Sequence, residues 1–340
     1  MKLYKLILLA LFFSFSCTSQ IKDENAQTVV EEGTNFDSIQ TDRIESISSD
    51  IKEEKDNNAY EEITFSNEKV DTNSNTYWVG FFNPHKDIEM EGKHVFADEG
   101  LYWGRRNKIS ISIDEVIEDS IVGHSVVAGN HRPFYGKIQL TDKGKKCIVK
   151  EPGDDKYDGQ FTFEIVNDHL IGVWTAYENI EIPKREYKLN QMSYKYDKDI
   201  MLERAGRYGN WDKFIDHGTQ IEIYDEGTPD EQVYEWVKRE YASSTEKIYE
   251  INASNKELTK EDVENLTNSD LVVIRNTIYA RHGYSFKNRP LRVFFDAQDW
   301  YIPVHADIKQ DFTEIEKKNI QLLLRYEKNA KEYYDYFGRG

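Results

Sequence analysis

The chain has 340 residues, 13% of them aromatic, enough for two folded regions with their own cores, and it carries a formal charge of -18. That charge argues against nucleic acid as a partner, because phosphate binding needs a basic surface. With only two cysteines, Cys17 and Cys147, neither a disulfide framework nor a cysteine-based zinc site is available.

At the start, Lys2 and Lys5 precede an apolar run from Leu6 to Phe13, too short for a bilayer span of about 20 residues, and small residues follow. The pattern predicts an export signal over residues 1–16. Ser14-Phe15-Ser16-Cys17 resembles the lipobox of bacterial lipoproteins, in the looser form common in Bacteroidetes, since the usual Leu three residues before the cysteine is missing. The resemblance implies that Cys17 is acylated and becomes the first mature residue; two or more acyl chains anchor stably, where one is marginal. Lys22-Asp23-Glu24 is similar to the short Lys-plus-acidic signal that sends such lipoproteins to the outer face of the outer membrane. The membrane is then a partner through the lipid, and the expected location is the outer membrane.

Residues 17–75 read as a disordered acidic tether. From Thr18 to Asn75 there are fifteen acidic residues against five Lys or Arg, little large apolar material and no sustained period. Residues 76–196 change to a strand texture. Lys108-Ile109-Ser110-Ile111-Ser112-Ile113 alternates apolar and polar, and similar runs begin at Tyr77, Ile121, Tyr135, Lys145, Gln160, Leu170 and Arg185. Turn residues separate them, among them Gly129-Asn130, Lys143-Gly144 and Asn167-Asp168. Short, regularly spaced strands predict an antiparallel β-sandwich or up-and-down barrel, with a lipocalin-like texture from Trp78-Val79-Gly80 and Gly172-Val173-Trp174. Cys147, inside the alternation Lys145 to Val149, is expected to be a small buried hydrophobe rather than a nucleophile.

Residues 197–255 are a connector in this reading. Thr219 to Tyr224 alternates like a strand, whereas Pro229-Asp230-Glu231 is expected to start a helix carrying Val233, Trp236, Val237 and Tyr241. Residues 256–328 then predict a compact set of short helices. Leu271, Ile274 and Ile278 recur at helical spacing behind a Thr267 or Ser269 cap, and Gly283 fits the left-handed position past the helix end. A second helix is expected from about Pro290, and a third from the capping box Thr313-x-x-Glu316 through Ile320, Leu323 and Leu324. Residues 329–340 form a tail. The whole is an α+β chain.

Tyr279-Ala280-Arg281-His282-Gly283-Tyr284 resembles the signature of the YARHG domain, a small module of bacterial extracytoplasmic proteins, with the resemblance extending over roughly Lys256 to Lys328 and including Trp300. The family brings no defined activity with it. Tyr279, Arg281, His282, Asp296 and Asp299 are residue types an acid-base site would use. The structural alternative is a helix cap, an Arg-to-Asp pair and a His donating to a carbonyl. In the β-region the polar loop Gly129-Asn130-His131-Arg132-Pro133-Phe134-Tyr135-Gly136 is the candidate ligand site, through Asn130, His131, Arg132 and Tyr135, the alternative being a turn with a polar tip. His85, His94, His169, His217 and His305 lack metal-ligand spacing, so no metal and no cofactor is expected.

Three readings of function follow. The first is a lipid-anchored, non-enzymatic envelope protein that binds cell-wall, glycan or protein ligands. The second is an envelope-polymer hydrolase using His282 or paired carboxylates. The third is a carrier enclosing a small lipophilic ligand in the β-domain.

Overall fold

The computed structural model describes residues 76–91, 95–96, 102–142, 144–307 and 312–333. The expected export signal, Cys17, Lys22-Asp23-Glu24, the acidic tether and most of the tail lie outside the described residues.

Eight antiparallel strands close into a barrel: β1 Thr76–Pro84, β2 Asn107–Ile117, β3 Ser120–Val127, β4 Asn130–Thr141, β5 Gly144–Lys150, β6 Gly159–Val166, β7 His169–Ala176 and β8 Lys184–Ser193. Each pairs with its neighbours in chain order, and β1 closes the ring by pairing with both β8 and β2. Of the two architectures compatible with the alternation, the barrel is the one formed, which leaves no free sheet edge among these strands. At the β3–β4 connection Ala128 and Gly129 both have positive φ, 53° and 77°, the geometry of a tight hairpin turn that matches strand twist. The strands approach closely at Gly136, where a Cβ would collide with the Ile148 carbonyl oxygen of the next strand.

All eight strands fill the lumen. Phe82, Ile109, Ile111, Ile121, Phe134, Cys147, Val149, Phe161, Phe163, Leu170, Trp174, Tyr187 and Leu189 form one buried cluster. Phe161 alone meets the rings of Phe82, Phe134, Trp174 and Tyr187 at centroid distances of 6.1, 6.0, 6.5 and 5.9 Å. A barrel packed this way is a core rather than a container, so the lipophilic-carrier reading loses its cavity.

Two segments differ from what their sequence suggests. Gly129 to Gly136 is not a loop: from Asn130 onward it runs along β4, because the turn is made one residue earlier, at Ala128-Gly129. Likewise the expected helix after Pro229 is a strand. β10, Gln232–Ser243, pairs with β9, Gly209–Tyr224, in a long hairpin. Val233, Trp236 and Val237 fit a helical period by spacing, but β-branched and aromatic residues alternating with Glu235 and Lys238 fit a pleated ribbon better.

The C-terminal module begins with a 3₁₀ turn, Glu246–Tyr249, followed by α1 Lys260–Val263, α2 Asn268–Arg281, α3 Arg289–Asp296 and α4 Glu314–Tyr333. Local chemistry sets their starts. Thr267 Oγ accepts from the Asp270 N–H while the Asp270 carboxylate accepts from the Thr267 N–H, and Thr313 and Glu316 repeat that exchange at α4. Asn288 caps α3, with Pro290 in its first turn. Ile248 of the 3₁₀ turn, Leu271, Ile274, Ile278, Phe286, Phe295, Tyr301 and Leu323 make the module's core, and Leu202 and Tyr208 from the preceding segment join it.

The barrel and the module share buried contacts. Val79 on the outside of β1 packs with Ile302 and Val304. Lys108, 7% exposed, donates its backbone N–H to Asp296 Oδ2 at 2.8 Å and its ammonium to the carbonyls of Gln298 and Tyr301 at 2.7 and 3.1 Å. Burial lowers the Lys108 pKa, opposed by Asp296, Asp299 and Glu203.

Candidate functional site

The motif at the end of α2 is a closed network. Arg281, 4% exposed, donates from Nε and Nη2 to the Ile200 carbonyl (2.9 and 2.6 Å) and from Nη1 to Ser254 Oγ at 3.0 Å. Burial pulls its pKa down to about 10 against the pull of nearby acidic groups, Glu316 first. His282 stacks on Tyr196 with centroids 4.4 Å apart, and its Nε2 lies 2.9 Å from Glu316 Oε2. Burial works against charge on Glu316, but bonds from His282, Ser254 and the Thr313 N–H outweigh it and hold the carboxyl down at about 2. The expected partners are therefore exchanged: Arg281 binds a carbonyl where an aspartate was expected, and His282 binds a carboxylate where a carbonyl was expected. Gly283, at φ 70°, turns the chain so that its carbonyl accepts from Val304 and His305; a Cβ there would sit 2.3 Å from Val304 Cγ2. Ala280 is buried, Tyr279 packs on Phe312, Tyr284 packs on Tyr279 and Phe286, and Trp300 lies against the module core. The motif side chains pack against their neighbours, and His282, 6% exposed, lies between Tyr196, Phe312 and Glu316.

The four candidate residues on β4 do not form one site. Pleating puts Arg132 on the same face as buried Phe134 and turns His131 and Tyr135 to the other. Arg132 pairs with Asp158, 2.8 Å from Nε to Oδ1, and with Asp154, closing the loop between β5 and β6. His131 stacks on His124 at 4.4 Å, and His124 Nδ1 lies 2.8 Å from Asp114 Oδ2. Burial, followed by the neighbouring His124, pushes His131 down to about 4. Asn130 is exposed beside the turn, and Tyr135 is half-buried.

A cleft that the sequence reading did not assemble lies where the barrel, the hairpin and α3 meet. It has a volume of about 450 Å³, with walls from Phe81, Trp103, Trp211, Val293 and Phe294, a rim carrying Arg106 and Arg207, and Asp296 among the lining residues. The volume is within the ordinary range of small-ligand pockets, roughly 300–1,000 Å³. Trp103 and Trp211 are stacked at 6.3 Å with planes 19° apart, and Trp103 Nε1 donates to the Arg106 carbonyl at 2.7 Å. The guanidiniums of Arg105, Arg289 and Arg292 stand 5.1, 5.8 and 5.4 Å from the Trp103 ring, and that of Arg106 stands 4.3 Å from Phe81. Burial raises Asp296 to about 7, opposed by the Lys108 N–H and by the charges of Arg292, Lys108 and Arg106.

Residues 246–328 match the YARHG domain model. Comparison with curated proteins and with solved structures returns no match for the chain. The YARHG domain thus begins ten residues before the Lys256 suggested by the motif alone, and takes in the 3₁₀ turn at Glu246. Its signature residues build the interior of the domain, whereas its contribution to the cleft comes from α3, through Pro290, Val293, Phe294, Asp296 and Ala297.

Asp296 is the one carboxylate among the described residues lining the cleft, so hydrolysis by paired carboxylates would have only one of its two groups there. No grouping of three His, Cys, Asp or Glu side chains suited to a metal occurs among the described residues. What the arrangement offers is aromatic surface for stacking, guanidiniums for an acidic group and one carboxyl able to exchange hydrogen bonds. A signal was present in the sequence: Trp103-Gly104-Arg105-Arg106 and Arg207-Tyr208-Gly209-Asn210-Trp211 are basic-aromatic runs in an acidic chain.

Proposed function

We propose that the protein is a lipid-anchored component of the cell envelope that binds a ligand without transforming it, and that the binding surface is the cleft between the barrel and the YARHG domain. One observation carries this reading: the described residues provide an open aromatic and cationic cleft lined by a single carboxylate, while His282 is buried outside it against Tyr196, Phe312 and Glu316. In this scheme acylated Cys17 fixes the chain to the outer membrane, Lys22-Asp23-Glu24 directs it to the outer face, and the acidic stretch to residue 75 spaces the folded part from the lipid. Cell-wall or surface glycan is the ligand class that such a position makes available.

The test has two arms. Radiolabelled palmitate should enter the wild-type chain and not a Cys17→Ser chain; equal labelling of both removes the anchor. Purified protein should retain glycan from envelope extracts, and Trp211→Ala, which strips one wall of the cleft from a half-exposed position, should lose most of that retention while its circular dichroism is unchanged. Undiminished retention by that variant moves the binding surface elsewhere.

A further inference from the structure

We propose that the cleft selects a saccharide bearing a single acidic group, with the sugar ring lying against Trp211 and its carboxylate or phosphate held by Arg106 and Arg207. This rests on the reading of the cleft as a binding surface and adds the chemistry of what enters it.

Charge distribution is the first support. In a chain of net charge -18, Arg105, Arg106, Arg185, Arg207, Arg289 and Arg292 converge on one region, where Asp296 is the one carboxylate among the described lining residues and Glu181 pairs with Arg105 at 2.7 Å. Their mutual repulsion is visible. Burial, then Arg292 and Arg105, lowers Arg185 to about 10; burial also lowers Arg292, and among its charged neighbours Arg289 and Arg105 act in the same direction against Asp296. Arg292 is 7% exposed, stands over the Trp103 ring, and its Nε has no hydrogen-bond partner among the described residues. Gathering these guanidiniums is costly, and an anion held by Arg106 and Arg207 offsets their repulsion.

Ring geometry is the second support. Trp103 and Trp211 already contact each other at 6.3 Å, so no planar ring slides between them, which disfavours a stacked base or aromatic acid held as a sandwich. Phe81 already carries the Arg106 guanidinium at 4.3 Å, so the surface left is the half-buried Trp211, suited to the C–H face of a sugar. Asp296, near neutrality in its pKa, can accept from or donate to a hydroxyl. The overall negative charge repels a long polyanion yet leaves a singly charged small molecule free to enter.

Titration of the full chain with D-glucuronic acid, D-glucose 6-phosphate, D-glucose and adenosine monophosphate, followed by tryptophan emission, tests the assignment. At least one acidic sugar should bind about tenfold or more tightly than glucose, with the preference falling as salt rises from 50 to 500 mM, and Arg106→Gln with Arg207→Gln should bring it down to the glucose level while the fold persists. Comparison of the two acidic sugars tells carboxylate from phosphate. Glucose binding as tightly as both overturns the acidic assignment and leaves the cleft a glycan site. Binding of the nucleotide alone overturns the saccharide. If no probe binds while envelope glycan is still retained through Trp211, the ligand class is wrong and the binding reading stands; if retention is absent too, both fall.

Discussion

Replacing His282 with alanine separates a structural from a catalytic role for the motif. The substitution removes the 2.9 Å contact with Glu316, the ring stacked at 4.4 Å on Tyr196 and the edge contact with Phe312 at 5.1 Å. Loss of one partner of a buried hydrogen bond to a carboxylate costs about 1–3 kcal/mol, and each of the two ring contacts adds roughly 0.5–1.5 kcal/mol beyond its buried area. Glu316 keeps the Tyr196 hydroxyl and the Thr313 N–H, which limits the damage, so about 4 kcal/mol is expected, on the order of 10 °C in Tm. The sign with pH follows from Glu316, whose folded pKa of about 2 lies below its ordinary 4.5. Its contribution is fully present above 4.5 and disappears as pH falls through 2, so the gap between wild type and variant should be widest at pH 7 and narrow toward pH 3. Urea unfolding followed by tryptophan fluorescence at both pH values measures this, and a cycle with Glu316→Gln should return a coupling of about 1–3 kcal/mol. A variant within about 0.5 kcal/mol of wild type at pH 7 would refute the account of the motif as an internal brace.

The Asp296 carboxyl, raised from 3.8 to about 7, acts in the opposite sense: stability is lost as pH climbs from about 4 to 7, by up to about 4 kcal/mol across the window. Asp296→Asn keeps an oxygen for the Lys108 N–H and should flatten that part of the stability profile; an unchanged slope places the proton elsewhere. Cys147 is 0% exposed, and burial pushes its thiol up to about 12, so in a Cys17→Ser chain a thiol reagent such as dithionitrobenzoate should label nothing until urea unfolds the barrel, and rapid labelling of the native chain contradicts the filled lumen.

Caps and strands were legible in the sequence because their determinants are local. Thr267, Pro290 and the Thr313–Glu316 box lie within four residues of the helix ends they set, and Lys108 to Ile113 displays the barrel's inside and outside by alternation alone. Local pattern misleads where two periods fit one segment, as at Val233, Trp236 and Val237. It misleads again where burial is imposed from far away. Lys108 sits on the outer face of β2, as its polarity suggests, but the YARHG domain covers that face and turns a solvent position into a buried one. The cleft is the extreme case: its walls run from Phe81 to Ala297, and no window along the chain contains them together. The motif drew attention to Arg281 and His282, whereas the accessible chemistry came from Arg106, Arg207 and Trp211, which lie outside it.

The Lys108 contacts decide how this protein can be cut. An isolated YARHG fragment would present Asp296, Ile302 and Val304 to water, and a barrel expressed by itself would leave Val79 bare and strand an ammonium with no carbonyls to hold it. Truncation at the family boundary should therefore give insoluble halves, and the intact pair should melt in a single transition, with the cleft's two sides held at a fixed gape in place of a hinge.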